Sequence, residues 1–147
     1  MSEIHGMAGH QIRRLNQISQ ALFRERVAAA GVDLTPVQYA ALATLAQRPG
    51  IDQAGLAAEI AYDKVTIGGV IDRLAAKGFV DRRPSPTDRR AKALRLTPGG
   101  EALFARVRPV VWALQEDILA GLSDEERGCF LDLLARVTGT QNDAPDA

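Results

Sequence analysis

Arg82, Arg83, Arg89, Arg90, Lys92 and Arg95 crowd into 14 residues that hold one carboxylate, Asp88, for a local charge of +5. Cations at that density suit a polyanion, because their fields add over a few ångströms and few counter-charges cancel them. Arg82, Arg83, Arg89 and Lys92 have the reach to contact phosphates, with Ser85 in the same loop. Just upstream lies Lys64-Val65-Thr66-Ile67-Gly68-Gly69-Val70-Ile71-Asp72-Arg73-Leu74. If Ile67, Val70, Ile71 and Leu74 face inward, Val65, Gly69 and Asp72 face out, with Thr66, Gly68 and Arg73 at the edges. A glycine inside a helix costs about 1 kcal/mol relative to alanine. The Gly68-Gly69 pair therefore implies a close approach, either by the duplex in its major groove or by a neighbouring helix.

A second constellation lies on the first helix, where His10, Arg14 and Gln17 are spaced i, i+4 and i+7, with Tyr39 on the next helix. These four could share one pocket. The plainer alternatives are a surface ion pair for Arg14 and core packing for Tyr39. No phosphate loop, dinucleotide fingerprint, nucleophile elbow or zinc-protease motif is present, so neither an enzyme nor a bound cofactor is expected. Two histidines and the single Cys129 do not have metal-ligand spacing. Cys129, beside the apolar stripe of the last helix, is read as buried packing.

These residues must be positioned by a mainly α chain with one small hairpin. A first helix is expected from about Met7 to Ala30, with Ile12, Leu15, Ile18, Ser19 and Leu22 on its stripe. Thr35-Pro36-Val37-Gln38 reads as a capping box opening the second helix, which ends before Pro49-Gly50. Asp52 caps a short helix, Gln53 to Ile60. After Ala61-Tyr62, Asp63 caps the helix that carries Val65 and Gly69 and stops at Gly78. Phe79 to Arg83 and Lys92 to Leu96 read as strands on either side of the basic loop. Thr97-Pro98 opens a long helix with Pro109 inside it as a kink, and Ser123-Asp124-Glu125-Glu126 opens the last, striped by Phe130, Leu133, Leu134 and Val137.

Two helices, a tight turn and a basic hairpin make a winged helix-turn-helix. The expected division is 35–97 for a DNA-binding lobe, 1–34 and 98–139 for dimerisation helices, and 140–147 for a disordered tail. The whole chain is neutral, with 18 basic and 18 acidic residues, and 46% of it is hydrophobic. The longest charge-free run, Leu34 to Gln47, is too short and too polar to cross a bilayer. With no secretion signal and one cysteine, the chain is expected to be cytoplasmic, with no membrane partner.

The order Asp63-Lys64-Val65-Thr66, Arg73-Leu74-Ala75-Ala76-Lys77-Gly78 and Asp88-Arg89-Arg90-Ala91-Lys92-Ala93-Leu94-Arg95-Leu96-Thr97 resembles the MarR (multiple antibiotic resistance regulator) family of bacterial transcription factors. The last segment fits the family's D-x-R-x-x-x-x-x-L-T wing. The resemblance spans about Gly9 to Val137. It implies a homodimer with long terminal helices, a wing arginine at Arg90 held by Asp88, and binding to a pseudo-palindromic operator in double-stranded DNA. It also implies a repressor released by a small aromatic or heteroaromatic carboxylate bound between the dimer helices and the winged lobe, as in regulators of aromatic acid catabolism. The alternatives are a winged-helix protein-interaction module, or a regulator of the same fold that responds to oxidation or metal.

Overall fold

In a computed structural model, which describes residues 2–88 and 90–140, a 3-10 turn at Glu3–Gly6 precedes six helices and one hairpin. The order is α1 (Ala8–Ala29), α2 (Pro36–Gln47), α3 (Gln53–Glu59), α4 (Lys64–Ala76), β1 (Val80–Pro84), β2 (Lys92–Leu96), α5 (Pro98–Ile118) and α6 (Asp124–Thr138). The elements are those of a winged helix-turn-helix, and their ends fall within a few residues of the expected ones. Arg89 and residues 141–147 of the expected tail lie outside the described residues.

Side chains start every helix after the first. Thr35 and Gln38 exchange bonds of 3.2 and 3.0 Å, and Asp52 accepts the Gly55 N–H at 2.7 Å. Asp63, Thr97 and Ser123 do the same for α4, α5 and α6. Each satisfies an N–H that a helix end otherwise leaves without a partner. At the far end of α4, Gly78 adopts φ +81°, a conformation that costs glycine little and lets the chain turn sharply into the wing. The strands pair antiparallel, with Val80 opposite Leu96 and Pro84 opposite Lys92. Phe79, expected in the first strand, lies just before it, and Pro84 ends it, as suits a residue without a donor.

The core is where α2, α3, α4, β2 and α5 meet. Leu42, Leu45, Leu56, Ile67, Ile71, Leu74, Leu94 and Leu114 are all fully buried. Each such side chain contributes about 1.5–3 kcal/mol of transfer free energy. The stripe read on α4 is the one that is buried.

The terminal helices bury little within one chain. In α1 only Phe23 and Val27 are buried, while Ile12 and Ile18 of the expected stripe are 59% and 46% exposed. Helix α6 buries no side chain. Cys129 is exposed rather than packed, because no layer of the same chain faces that side of α6. No described helix is long and apolar enough to cross a membrane.

Candidate nucleic-acid interface

The turn between α3 and α4 is Ala61-Tyr62, with the Tyr62 N–H donating to the Ala57 carbonyl at 2.9 Å. Across it, Gln53 donates its side-chain N–H to the carbonyl of Lys64 at 3.0 Å, tying α3 to the first turn of α4. This contact separates the two glycines. A Cβ at Gly68 would stand 2.9 Å from Gln53 Nε2, whereas one at Gly69 would meet nothing within 4 Å. A Cβ at Gly68 would thus press on the end of the flexible Gln53 side chain, whereas Gly69 leaves open space on the outer face. Val65, one turn before it, is 86% exposed. Thr66 donates its hydroxyl to Asp63 at 2.6 Å and its N–H to the same carboxylate at 2.8 Å. These two bonds, the hydroxyl's first, hold the Asp63 carboxyl below its ordinary value.

The hairpin stands beside this helix. Asp72 on α4 pairs with Arg82 on β1, and Arg83 pairs with Asp81 at 3.1 Å. Arg82, expected among the free phosphate contacts, is thus tethered to the recognition helix. At the wing tip Asp88 accepts the backbone N–H of Arg90 at 2.9 Å, while Ser85 Oγ accepts the N–H groups of Thr87 and Asp88 at 3.3 and 3.4 Å. The aspartate was expected to restrict the arginine's guanidinium. Among the described residues it holds the turn backbone through an Asx-type bond two residues along. Lys64, Arg82, Arg90 and Lys92 line one notch of about 440 Å³ between α3, α4 and the wing, with Asp52 and Asp88 at its wall. Arg73 is exposed farther along α4 and does not line the notch.

Of the four residues expected at an effector site, Tyr39 lines a cleft that the other three do not share. Tyr39 lines a space of about 570 Å³ with Thr44, Phe104, Arg108, Trp112 and Gln115. The Tyr39 and Phe104 rings lie 5.8 Å apart. Burial raises the Tyr39 hydroxyl pKa, and the Arg108 charge opposes that shift. His10, Arg14 and Gln17 are on the N-terminal half of α1, outside this cleft. The His10 ring lies 5.7 Å from that of His5, its Nε2 buried without a partner, and Arg14 and Gln17 are exposed. Arg108 was missed, although Phe104, Arg108 and Trp112 are spaced i, i+4 and i+8 and so share one face of α5. Among the described residues no group of three or more His, Cys, Asp or Glu is placed to hold a metal.

Residues 34–92, which run from α2 into β2, match the model of the MarR family. A proposed regulatory protein for the hcr operon of Thauera aromatica is 36% identical, over 97% of this chain and 87% of its own length. The transcriptional repressor NicR of Pseudomonas putida is 30% identical, over 97% of this chain and 89% of its own. Among solved structures, Bordetella bronchiseptica BpsR, whose DNA binding is regulated by 6-hydroxynicotinic acid, superposes with a TM-score of 0.88 at 27% identity, covering 96% of this chain and 99% of BpsR. The repressor CouR, bound to a 23-mer DNA duplex, gives 0.85 at 30% identity, covering 94% and 96%. With likeness along nearly its whole length and the same winged fold, the chain belongs to the MarR family, whose members are DNA-binding transcriptional regulators and not enzymes.

Proposed function

We propose that the protein is a homodimeric, sequence-specific repressor acting in the cytoplasm, which leaves a pseudo-palindromic operator when a small aromatic or heteroaromatic carboxylate binds. The observation that carries this is the convergence of Lys64, Arg82, Arg90 and Lys92 on one notch beside the open face of α4. A helix entering the major groove and a hairpin reaching the adjacent minor groove need cations at that junction. On this reading 35–97 is the DNA-binding lobe, and 1–34 with 98–139 forms the dimer, which sets two copies of α4 about 34–36 Å apart. DNA-bound CouR and the repressor NicR support the repressor reading, and BpsR supports a heteroaromatic acid as effector.

The cleft at Tyr39 suits that effector. Phe104 and Trp112 offer aromatic surface, and the exposed Arg108 offers a guanidinium to a carboxylate. His10, Arg14 and Gln17 would reach the effector only from across a dimer seam. Ligand can release DNA only by preferring the lobe spacing that DNA does not, so operator must weaken ligand binding by the same factor.

The test starts with an operator selected from random duplexes. Arg90→Ala should weaken operator binding by roughly 1–3 kcal/mol. Calorimetry with aromatic carboxylates, with and without operator, should then show affinity lost in Arg108→Ala and reduced in wild type by operator. Equal affinity for operator and random DNA would remove the specific repressor, and ligand affinity indifferent to operator would remove the release mechanism. Arg14→Ala and His10→Ala, run alongside, decide whether the first helix contributes.

A further inference from the structure

The polar groups on the outer face of α4 are already engaged within the protein. The Thr66 hydroxyl is given to Asp63, the Asp72 carboxylate holds Arg82, and the Lys64 carbonyl accepts from Gln53. A group so engaged gains little from a base edge, because the new bond must replace an existing one of similar strength. What remains open on the leading turns is Val65, 86% exposed, and next to it along the same face Gly69, with nothing within 4 Å of where a Cβ would stand. A lone exposed valine needs no explanation on a protein surface. This one stands where a base pair would be met, with spent polar neighbours and a bare position one turn on.

The only apolar group that unmodified DNA shows in its major groove is the C5-methyl of thymine. We infer that Val65 reads a thymine methyl group in each half-site, Gly69 allowing the base pair to approach without a side chain in the way. The N-terminal turns of α4 then specify bases by apolar contact. Hydrogen-bonded readout falls to the exposed cations at the edges, Lys64 and Arg73. The inference rests on the DNA-binding reading above and adds the chemistry of its specificity.

The experiment replaces the thymines of the selected operator one at a time by deoxyuridine, which deletes only the methyl, in wild type and in Val65→Ala. Val65 is exposed, so Val65→Ala should keep the circular dichroism and oligomeric state of the wild type. One thymine per half-site should matter, its replacement weakening wild-type binding about fourfold, the ratio that corresponds to roughly 0.8 kcal/mol for one buried methyl. Val65→Ala should bind the thymine operator about as weakly as the wild type binds the deoxyuridine one, and should not distinguish the two. In parallel, 7-deazaguanine, which deletes the N7 acceptor, should cost binding only at positions whose effect disappears in Lys64→Ala or Arg73→Ala. Operator binding with no deoxyuridine effect, or an equal effect in Val65→Ala, overturns this inference alone. A wild type that selects no operator overturns it together with the DNA-binding reading.

Discussion

Ala61 has φ +58°, in the left-handed region where an L residue is strained by about 1–2 kcal/mol. The turn holds it there through the Tyr62 N–H bond to Ala57 and the Ala61 N–H bond to Ala58 at 3.3 Å. Glycine would relieve the strain but add about 0.4–1 kcal/mol of conformational freedom to the unfolded chain. Ala61→Gly should therefore stabilise the protein by about 0.5 kcal/mol, seen as a higher urea midpoint with an unchanged slope. Two residues on, Asp63 has a carboxyl held below its ordinary value of 3.8, first by the Thr66 hydroxyl and then by the Thr66 N–H. The unfolded chain thus takes up this proton more readily than the folded one. The stabilisation is present above the unfolded value and is lost as pH falls through the lower, folded one. Glu126 behaves alike, held below 4.5 by the Ser123 backbone and side chain. Asp63→Asn keeps a capping oxygen that cannot titrate, so its melting temperature should fall less steeply than that of the wild type below about pH 4. Parallel curves would show that the cap is not linked to protonation.

At the scale of elements, the turn that leaves α4 is held against the start of α5 by hydrogen bonds and one close backbone approach. Thr97 accepts the Gly100 N–H at 3.0 Å, donates its hydroxyl to the Gly78 carbonyl at 2.6 Å, and gives its own N–H to Phe79 at 3.0 Å. A Cβ on Gly100 would lie 2.0 Å from the Phe79 carbonyl oxygen. The start of α5 is thereby pressed against the turn that leaves the recognition helix. Farther along, α5 holds α1 through Arg106, which donates to the Ala30 carbonyl, and through Asp117, paired with Arg26 at 2.7 Å. A shift of α5 would then move the end of α4 with it, and on the proposed reading this is how a ligand in the Tyr39 cleft would reach the DNA face. Gly100→Ala should destabilise the fold by about 3 kcal/mol, since both sides of the contact are backbone and neither can rotate away. Denaturant unfolding with wild-type stability would show that the joint yields freely.

Across the whole molecule, burial is concentrated in the winged lobe and leaves the terminal helices bare. Trp112, Leu131, Leu133 and Val137 are 63%, 49%, 50% and 81% exposed, and an apolar cleft of about 490 Å³ runs between α1, α5 and α6. A second copy would cover that surface, and light scattering should report twice the 15.8 kDa of one chain. Leu131→Glu combined with Leu133→Glu should give a monomer that keeps its helical content but binds one half-site only, with operator affinity lowered by orders of magnitude. If the double variant stays dimeric, the seam lies elsewhere. The charge pattern has a consequence at the same scale. The net charge is zero, so on the proposed reading attraction to DNA comes from the local basic cluster of the wing rather than from the whole molecule. Arg83→Ala should weaken binding to all sequences alike and flatten the salt slope by about one unit.

Thr35, Asp52, Asp63, Thr97 and Ser123 each cap a helix through a donor three residues away. Nothing distant enters such a bond, so the helix starts, and with them the winged order, were legible in the sequence. The buried stripe Ile67, Val70, Ile71 and Leu74 was legible for the same reason, as periodicity is a property of one helix. What each polar side chain bonds to was not. Gly68 is distinguished from Gly69 only by Gln53 on another helix; a carboxylate such as Asp72, ill suited to phosphate, can be expected to orient a neighbouring arginine, but that this is Arg82 depends on the hairpin folding back; and Asp88 takes the backbone N–H of Arg90. Tyr39 and Arg108, 69 positions apart in the chain, share a cleft only because α2 and α5 pack together. Cys129 is exposed because α6 buries no side chain against its own chain, which its apolar stripe by itself does not reveal. Local hydrogen bonds and side-chain period determined the elements, while the faces they turn to one another depended on long-range packing that no short stretch of residues encodes.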